Sequence, residues 1–466
     1  MSVRQAIVAF LVAIIFAGSA IGMMPVEAAA SQERRAVGRS AGNFHARASS
    51  NSEVVGTFNR GTLIRHVAQH GNSETWMSAR LDGERVFVRR ADIALLPRNN
   101  ATDQSNRRAV GRGDRTTPIY RHPSTHAREI GSVAPRQLIS NLQRWDRSGN
   151  WARVTHGDVT GFVRLSDVSL LPRNNAANQR NRSVFIRRDA AIHRHPSVHS
   201  RVVEDVTRHS PAITVRNWDR SGNWVEVRRG GNRVGFMRAA NVTAPVARTA
   251  QNNLRQRVTF NADTTHFRAP STSAPTDGYF TAGQVINNAR PHNRSGTWLR
   301  ATVDGNRVYF RTTNARVSYH VTTTNNAELN RELERALNRL VNNGMTRPQM
   351  RRAVYNDTVR RMVWVADPVV LESGWRERRA LRAFTTNRGN CFGYAARFGF
   401  LAQAIGYDAR IIAGQVRGRG GPVPHAWVEI RFSNGRVFVY DPQLEQQTGL
   451  SFYHMPRGRE RAFYLR

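Results

Sequence analysis

The chain has 466 residues, which is too long for one ordinary hydrophobic core. Hydrophobic residues make up 40% of it, which is enough for packed domains. Its 70 basic residues, all of them arginine, outnumber 33 acidic ones and give a formal net charge of +37, and its single cysteine excludes an internal disulfide. Beyond the first thirty residues no apolar run is long enough to cross a membrane.

The excess of positive charge favours polyanionic partners, such as anionic polymers of a cell envelope or, without sequence specificity, nucleic acid. The arginines are spread over every segment of the chain and form no single stripe. A generally solubilising basic surface therefore stays open as the alternative to a specific binding site.

The first thirty residues have the pattern of a secretory signal. Arg4 supplies the positive start, residues 6–22 are almost wholly apolar, and the three alanines at 28–30 form a small-residue cleavage site. Residues 1–30 are therefore predicted to be a signal peptide, with an uncleaved membrane anchor as the alternative. Both place the rest of the chain outside the cytoplasm, either secreted or in the cell envelope.

The next segment is a fourfold repeat of a small β unit. Trp76, Trp151, Trp224 and Trp298 anchor the copies, at separations of 75, 73 and 74 residues. Around each anchor, short alternating strands are broken by turn residues, and polar tethers separate the copies. A unit of about sixty residues is large enough for a small closed barrel, which leaves no exposed sheet edge. The predicted copies are residues 36–98, 108–173, 183–246 and 256–318.

The strand and turn pattern of these copies resembles the bacterial SH3-type domain. In the second copy it runs from Gly-Asn-Trp at 149–151 to Gly-Phe-Val at 161–163, and the resemblance covers roughly residues 36–318. It implies four SH3-like barrels that target the protein to cell-wall peptides or glycans. Peptidoglycan or an anionic envelope polymer is accordingly the expected partner.

Particular side chains of the repeats are candidates for binding. The four anchor tryptophans are expected to be core or half-buried residues, whereas Trp145 and Trp218 occur only in the two middle copies and are the expected ligand-facing aromatic residues. The histidines near the Arg-His-Pro turns have no acidic partner at ligand spacing, so no metal site is expected there. These histidines are His122, His126, His195 and His199.

After about residue 320 the apolar spacing changes from strand-like to helical, and this change begins a C-terminal domain predicted at residues 325–466. The first predicted helix carries leucines at 329, 333, 337 and 340 and stops at Gly344. The second helix is capped by Thr346 and the third by Ser373.

The single cysteine, Cys391, lies where a fourth helix is expected to begin. Apolar residues at 395, 398, 402 and 405 share one face of that helix, and Asn390 is its expected N-cap. Amide dipoles at a helix N-terminus stabilise negative charge, so this position favours a thiolate. Free backbone N–H groups at the same place can hold an oxyanion.

His425 opens a strictly alternating segment that is predicted to be a strand, and a turn at 433–435 leads to a second strand that ends at Asp441. A two-residue Asn-Gly turn would point Asp441 away from His425. A three-residue loop pairs residue 427 with residue 441 and places Asp441 and His425 on one face. Gly435 suits the left-handed position of such a loop, and so the three-residue loop is predicted.

Three motifs resemble those of the transglutaminase-like superfamily, in order and in spacing. They are Gly-Asn-Cys-Phe-Gly-Tyr-Ala from residue 389, His-Ala-Trp from 425 and Asp-Pro from 441, and the match covers roughly residues 345–445. The resemblance implies an α+β, papain-like domain. In this domain Cys391 attacks an acyl carbon, His425 acts as base and later as proton donor, and Asp441 orients the imidazole.

The same resemblance leaves the oxyanion donor open among Trp364, Trp375 and the Cys391 amide. Trp427 and Tyr394, which lie within the motifs, are the expected substrate contacts. No metal or other cofactor is expected.

Together these features predict a multidomain, exported and wall-targeted cysteine enzyme that acts on amide bonds of peptides or proteins through a thioester. Hydrolysis is favoured over transfer to an amine, because water needs no second binding site. Two non-catalytic functions are the alternatives. One is a wall-binding adhesin with an inactive domain, and the other is an arginine-rich binder of polyanions.

Overall fold

The computed structural model describes residues 33–368, 371–462 and 464–465. The predicted signal peptide, residues 1–30, lies outside these described residues. In the described part of the chain, no helix combines the length and the apolar character that crossing a membrane requires. The chain divides into two compact units, Met1–Leu171 and Pro172–Arg466, so that repeats 1 and 2 fall in the first and the remainder in the second.

The first repeat is an antiparallel sheet whose apolar side chains alternate along the strands. Met77 and Ala79 on one strand and Val86 and Val88 on its partner point to the same core. Its strands are β1 (Arg34–Gly38), β2 (Gly42–His45), β3 (Val54–Phe58), β4 (Leu63–Gln69), β5 (Trp76–Leu81), β6 (Glu84–Arg89) and β7 (Ile93–Leu95). They are hydrogen-bonded in the order β3-β2-β6-β5-β4-β1-β7.

The second repeat has the same strand order around a core that includes Ala152, Val154 and Val163. Its strands are β8 (Arg107–Gly111), β9 (Thr117–Tyr120), β10 (Glu129–Val133), β11 (Leu138–Arg144), β12 (Trp151–His156), β13 (Val159–Arg164) and β14 (Val168–Leu170).

The third repeat repeats this order around Val225, Val227 and Met237. Its strands are β15 (Arg182–Ile186), β16 (Ala190–His193), β17 (Val202–Val206), β18 (Ile213–Asn217), β19 (Trp224–Arg229), β20 (Asn232–Arg238) and β21 (Val242–Thr243).

The fourth repeat keeps the order and has a more aromatic core, in which Phe260, Phe280 and Phe310 contact one another. Its strands are β22 (Gln256–Phe260), β23 (Thr264–Phe267), β24 (Thr276–Phe280), β25 (Val285–Pro291), β26 (Trp298–Val303), β27 (Asn306–Arg311) and β28 (Ala315–Tyr319).

The four sheets bear on the prediction of closed SH3-like barrels. In each repeat the hydrogen-bonded order is open, and in the first it runs from β3 at one end to β7 at the other. Closure would need those two end strands to pair, and β7 offers only three residues to a ladder. Several antiparallel seven-stranded sheets are therefore present, but closed barrels are not confirmed.

The anchor tryptophans begin the central strands β5, β12, β19 and β26. Trp224 and Trp298 are buried and the other two are half-buried, which confirms the prediction made for them. Trp224 lies opposite Arg238, whose guanidinium carbon is 4.6 Å from the indole centre, close enough for a cation–π contact.

The tethers are held by the repeat that follows each of them. Trp145 donates its indole N–H to the carbonyl oxygen of Pro97 at 3.2 Å, and Trp218 donates likewise to Pro172 at 3.1 Å. In the fourth repeat the equivalent residue is His292, whose Nε2 lies 2.8 Å from the carbonyl oxygen of Val246. We call this recurring contact between a ring nitrogen and a tether carbonyl the tether clamp.

The C-terminal domain packs helices against a mixed set of strands. Its helices are α1 (Ala327–Leu340), α2 (Arg347–Arg361), α3 (Trp375–Thr386), α4 (Cys391–Ala404) and α5 (Pro442–Thr448). Its strands are β29 (Val363–Trp364), β30 (Arg388–Gly389), β31 (Asp408–Gly418), β32 (Gly421–Arg431), β33 (Val437–Tyr440), β34 (Met455–Pro456) and β35 (Tyr464–Leu465). The larger sheet has the order β34-β33-β32-β31-β35.

The helix boundaries test the predicted caps. Thr346 forms a capping box with Gln349 at the start of α2, as predicted. The prediction for α3 is wrong, because its N-cap is Gly374 in a left-handed conformation and not Ser373. The first helix ends at Leu340, before Gly344, because the chain turns extended at Val341.

Helix α4 is the centre of this domain and is buried from Cys391 to Ala402. It packs against β31 and β32 on one side and against α2 and α3 on the other. Arg397 lies inside this packing and donates to Asp357 at 3.0 Å and to the carbonyl oxygen of Ala383 at 2.7 Å. A buried charge on α4 is thus neutralised by a carboxylate of α2, which fixes the position of the helix.

Candidate active site

The candidate site begins at the N-terminus of α4, where the prediction of a helix start is confirmed. Asn390 is the N-cap, and its side-chain oxygen accepts from the Phe392 N–H at 3.1 Å. The side-chain amide of Asn390 donates to the carbonyl oxygen of Asp367 at 2.9 Å, so both ends of this cap are fixed. Cys391, 9% exposed, is therefore held at the positive end of a buried helix.

His425 reaches the cysteine from the neighbouring sheet. It lies on β32, directly opposite Gly414 on β31, and is itself buried. The imidazole bonds through Nε2 to Asp441 Oδ2 at 2.6 Å, and the Cys391 side chain is near enough to contribute to the raised pKa of the ring. The ring nitrogen left for the sulfur is therefore Nδ1.

The loop between β32 and β33 decides the position of Asp441. The Phe432 N–H donates to the carbonyl oxygen of Arg436 at 2.9 Å, so residues 433–435 form the predicted three-residue loop. The ladder between β32 and β33 pairs Arg431 with Val437 and ends with Val428 opposite Tyr440, which is the register that the three-residue loop predicts, and Asp441 follows directly after its last pair. Gly435 has φ of 79°, in the left-handed region that the loop requires. The predicted loop and register are confirmed, and they bring Asp441 beside His425.

The Asp441 carboxylate is fully buried and accepts three hydrogen bonds. As N-cap of α5 its Oδ1 accepts from the Leu444 N–H at 3.0 Å. Its Oδ2 accepts from His425 and also from the Tyr464 hydroxyl at 2.9 Å. Three donors replace the water that a buried carboxylate loses, and together they fix its orientation.

Tyr464 is the site residue that the sequence did not reveal. Its ring lies 4.7 Å from that of Trp427 and 6.3 Å from that of His425. It belongs to β35, which pairs with β31 over two residues only. A strand this short has no periodicity to detect, and Tyr464 stands in no recognised motif.

Gly414 makes the approach of β35 possible. A Cβ at this position would stand 2.4 Å from the carbonyl oxygen of Leu465 and 2.6 Å from the Trp427 ring. Both distances are far below van der Waals contact, so only glycine allows β35 and Trp427 to lie this close to the strand opposite His425.

The electrostatics of the site favour a protonated imidazole. Burial lowers the pKa of His425, but the charge and hydrogen bond of Asp441 and the contact with Cys391 outweigh it and raise the pKa to about 10. At neutral pH the ring therefore carries its second proton beside the sulfur. A positive imidazolium there stabilises a negative sulfur.

The expected substrate contacts need correction. Trp427 is 0% exposed, and its indole N–H donates to Glu429 Oε1 at 3.2 Å. Tyr394 is also inaccessible, and its hydroxyl donates to the side-chain oxygen of Gln446. Both therefore support the site from inside and do not line a surface that a substrate could touch. The alternation of β32 failed to indicate this because both faces of the strand are covered.

The three oxyanion candidates have different surroundings. Trp364 lies on β29 opposite Gly389 and is 53% exposed, whereas Trp375 is buried against Phe392. Asn390 engages the N–H groups of Phe392, Gly393 and Tyr394 but not that of Cys391. The Cys391 N–H therefore has the position an oxyanion donor needs, next to the sulfur at a helix N-terminus.

Trp145 and Trp218, expected to face a ligand, are half-buried and form the tether clamp with their indole N–H groups. Each also packs edge-on against a phenylalanine of its own repeat, at 4.8 and 4.6 Å between ring centres. The sequence suggested that they are absent from the outer copies, but His70 and His292 hold the same place there, against Phe87 and Tyr309. Ligand binding by these tryptophans stays a prediction.

Comparison with known proteins places the C-terminal domain. Residues 335–442 match the model of the transglutaminase-like superfamily, as the motifs around Cys391, His425 and Asp441 predicted. The match spans less than a quarter of the chain and identifies that domain. A fold of this class supports an enzyme of the cysteine peptidase or acyltransferase type.

Solved structures give distant likenesses. A candidate autolysin from Listeria monocytogenes has 12% identity and a TM-score of 0.25, over 45% of this chain and 95% of that one. NlpC1 from Trichomonas vaginalis has 10% identity and a TM-score of 0.12, over 48% and 95%. An NlpC/P60 family protein from Bacillus cereus has 9% identity and a TM-score of 0.12, over 61% and 100%. Among curated proteins no significant match is found.

Proposed function

We propose that the transglutaminase-like domain is an active cysteine enzyme that cleaves amide bonds through a thioester on Cys391. The observation that carries the proposal is the arrangement of His425 between Cys391 and a buried, fully hydrogen-bonded Asp441. A purely structural thiol would not need a histidine and a carboxylate aligned on it, both desolvated.

The steps follow from the positions of the three residues. The Cys391 thiolate attacks the amide carbon, and the oxyanion formed is held by the Cys391 N–H. The imidazolium of His425 gives its proton to the leaving amine as the C–N bond breaks, and a thioester remains. Water then attacks this thioester while the neutral His425 accepts its proton, and the carboxylic acid leaves as the C–S bond breaks, which restores the thiolate and the imidazolium. Asp441 keeps the imidazole in the required orientation throughout.

The substrate and the location form the finer part of the proposal. We infer that the chain is exported and that its four β repeats hold it at a cell wall, where peptides or proteins carry the amide bonds cleaved. The signal-like pattern of residues 1–30 and the likeness of the repeats to SH3-type domains support this.

Transfer to an amine is the second candidate, and one observation favours it. The chain contains no lysine. An enzyme that joins its acyl group to lysine amines would have no side-chain acceptor on its own surface and would not crosslink itself. Hydrolysis remains our first proposal, since it needs no binding site for a second substrate.

The test compares the wild-type protein with Cys391→Ala on isolated cell walls. The wild type is expected to release new amino groups, and a labelled primary amine in the same reaction reports transfer. Tyr440→Phe is the matched control, because it removes a buried hydroxyl of the same domain that bonds to His454 and not to the site. If the wild type gives neither product, or if Cys391→Ala gives as much as the wild type, the domain is not the enzyme proposed.

A further inference from the structure

A surface cavity in the fourth repeat is surrounded by positive charge. Its volume is about 260 Å³, and the guanidinium groups of Arg290, Arg300 and Arg307 line it together with the amides of Asn253 and Asn288. No carboxylate lines it, and none pairs with these arginines within the described residues.

The two central arginines face each other across the sheet. Arg290 on β25 is the register partner of Arg300 on β26. Like charges directly opposite on neighbouring strands repel each other and destabilise the pair. Both donate only to neutral groups, since Arg300 bonds to the side-chain oxygen of Asn253 at 2.6 Å and Arg290 bonds to its carbonyl oxygen.

In the third repeat, the equivalent pair of positions carries opposite charges. There Arg216 on β18 is the register partner of Glu226 on β19, and the two form an ion pair at 3.1 Å. Glu226 also pairs with Arg228 and is almost completely buried. The fourth repeat has Arg300 where the third has Glu226, 74 residues earlier, so it has lost the internal carboxylate and gained a cation.

We propose that this cavity, which we call the arginine cavity, is an anion site and that its ligand is a phosphate group of an ester or diester. A bound phosphate would supply the negative charge that Glu226 supplies in the third repeat. Guanidinium groups bind phosphate oxygens in a bidentate manner, and several of them can share one phosphate. The volume exceeds that of several water molecules, each about 30 Å³, and leaves room for atoms attached to the phosphate.

The surroundings of Arg300 support the same conclusion. Burial and the positive charges of Arg248, Arg307 and Arg290 lower its pKa, which means that the site disfavours its own cation when no anion is present. The site is independent of the thiol chemistry, because none of its residues belongs to the C-terminal domain.

The test is a calorimetric titration of the full chain with inorganic phosphate and with a poly(glycerol phosphate) diester, at one fixed ionic strength. Arg307→Gln should weaken both about tenfold, because it removes charged hydrogen bonds to the ligand. Arg300→Glu rebuilds the pair of the third repeat and should abolish binding. Arg233→Gln is the matched control, because Arg233 is the equivalent of Arg307 in the third repeat and its loss changes net charge equally.

The outcomes separate the proposal from non-specific charge. If Arg233→Gln weakens binding as much as Arg307→Gln, the whole basic surface binds and the proposal is overturned. Failure of both phosphate ligands to bind, or preference for a carboxylate polymer such as polyglutamate, also overturns it. Thermal melting of each variant checks folding. The same titrations with Cys391→Ala should be unchanged, so that a failure of the proposed catalysis leaves this result standing.

Discussion

Asp441 illustrates how a single side chain can join separate parts of a domain. It caps α5 through one oxygen and receives His425 and Tyr464 on the other. The hydroxyl of Tyr464 donates to the same carboxylate oxygen as His425, while the cap occupies the other oxygen, so both oxygens of Asp441 are held. We therefore assign Tyr464 a positioning role, which acts through Asp441 and not on the substrate.

Replacing Tyr464 by phenylalanine should lower kcat about tenfold, the effect of removing one hydrogen bond to a charged group. KM should change less than about twofold, because Tyr464 touches no substrate surface. Steady-state kinetics on a peptide amide measures both constants. Tyr440→Phe serves as control, and equal losses of kcat in the two variants would contradict a role specific to the site.

The raised pKa of His425 makes stability depend on pH. The ordinary histidine pKa is about 6.5 and the folded value is about 10, so the folded protein binds this proton more tightly. The stability that the protonated His425 contributes is complete below pH 6.5 and is lost as the pH rises through 10. Urea unfolding at these two pH values should show a decline in the wild type that exceeds the decline in Asp441→Asn by about 2–4 kcal/mol. Parallel declines would rule out the pairing as its cause.

At the scale of elements, the loop at 433–435 determines which face of β33 carries Asp441. The sequence supported the correct prediction here, because Gly435 suits the left-handed position that a three-residue loop requires. The start of α4 was equally predictable, since Asn390 and the apolar spacing are local signals in the sequence. Features that depend on tertiary contacts could not be predicted from the sequence. Gly374 replaces Ser373 as cap, and β35 pairs with β31 through two residues that no pattern marks.

The left-handed backbone conformation of Gly435 predicts a measurable loss of stability when a side chain is added there. Gly435→Ala should reduce the free energy of unfolding by about 1–2 kcal/mol, because a Cβ is unfavourable at positive φ. Gly435→Asn should cost less, since asparagine tolerates this region better. Denaturant unfolding measures both variants. Gly420→Ala, at a glycine that has free space and no positive φ, should be nearly neutral, and a comparable loss there would argue against conformational strain as the cause.

At the scale of the whole molecule, the repeats were predictable because the four anchor tryptophans recur at intervals of 73 to 75 residues. Closure of each sheet was not predictable, since it depends on whether the two end strands meet. The burial of Trp427 was missed for a related reason. A motif gives the position of a residue along a strand, but only tertiary packing decides whether its side chain reaches solvent, and Trp427 is covered by Phe452, Met455 and Tyr464.

The proposed wall attachment predicts how retention responds to salt. A chain of net charge +37 adheres to any anionic polymer, but that attraction is screened at about 1 M salt, where the Debye length is about 3 Å. If the repeats recognise a wall component, Cys391→Ala should stay on purified peptidoglycan at this salt concentration. A sedimentation assay measures the bound fraction. A basic protein without wall-binding domains should elute, and elution of both would favour purely electrostatic adhesion.

The tether clamp has a consequence for the history of the array. The ring nitrogen belongs to one repeat and the carbonyl oxygen to the tether before it, so the unit that can be copied intact is a tether together with the repeat that follows. The acceptor is a backbone oxygen, carried by proline in two tethers and by valine in the third. Tether side chains can therefore differ between copies without loss of the contact, and the ring can differ as well, because His292 makes the contact that tryptophan makes in the two middle copies.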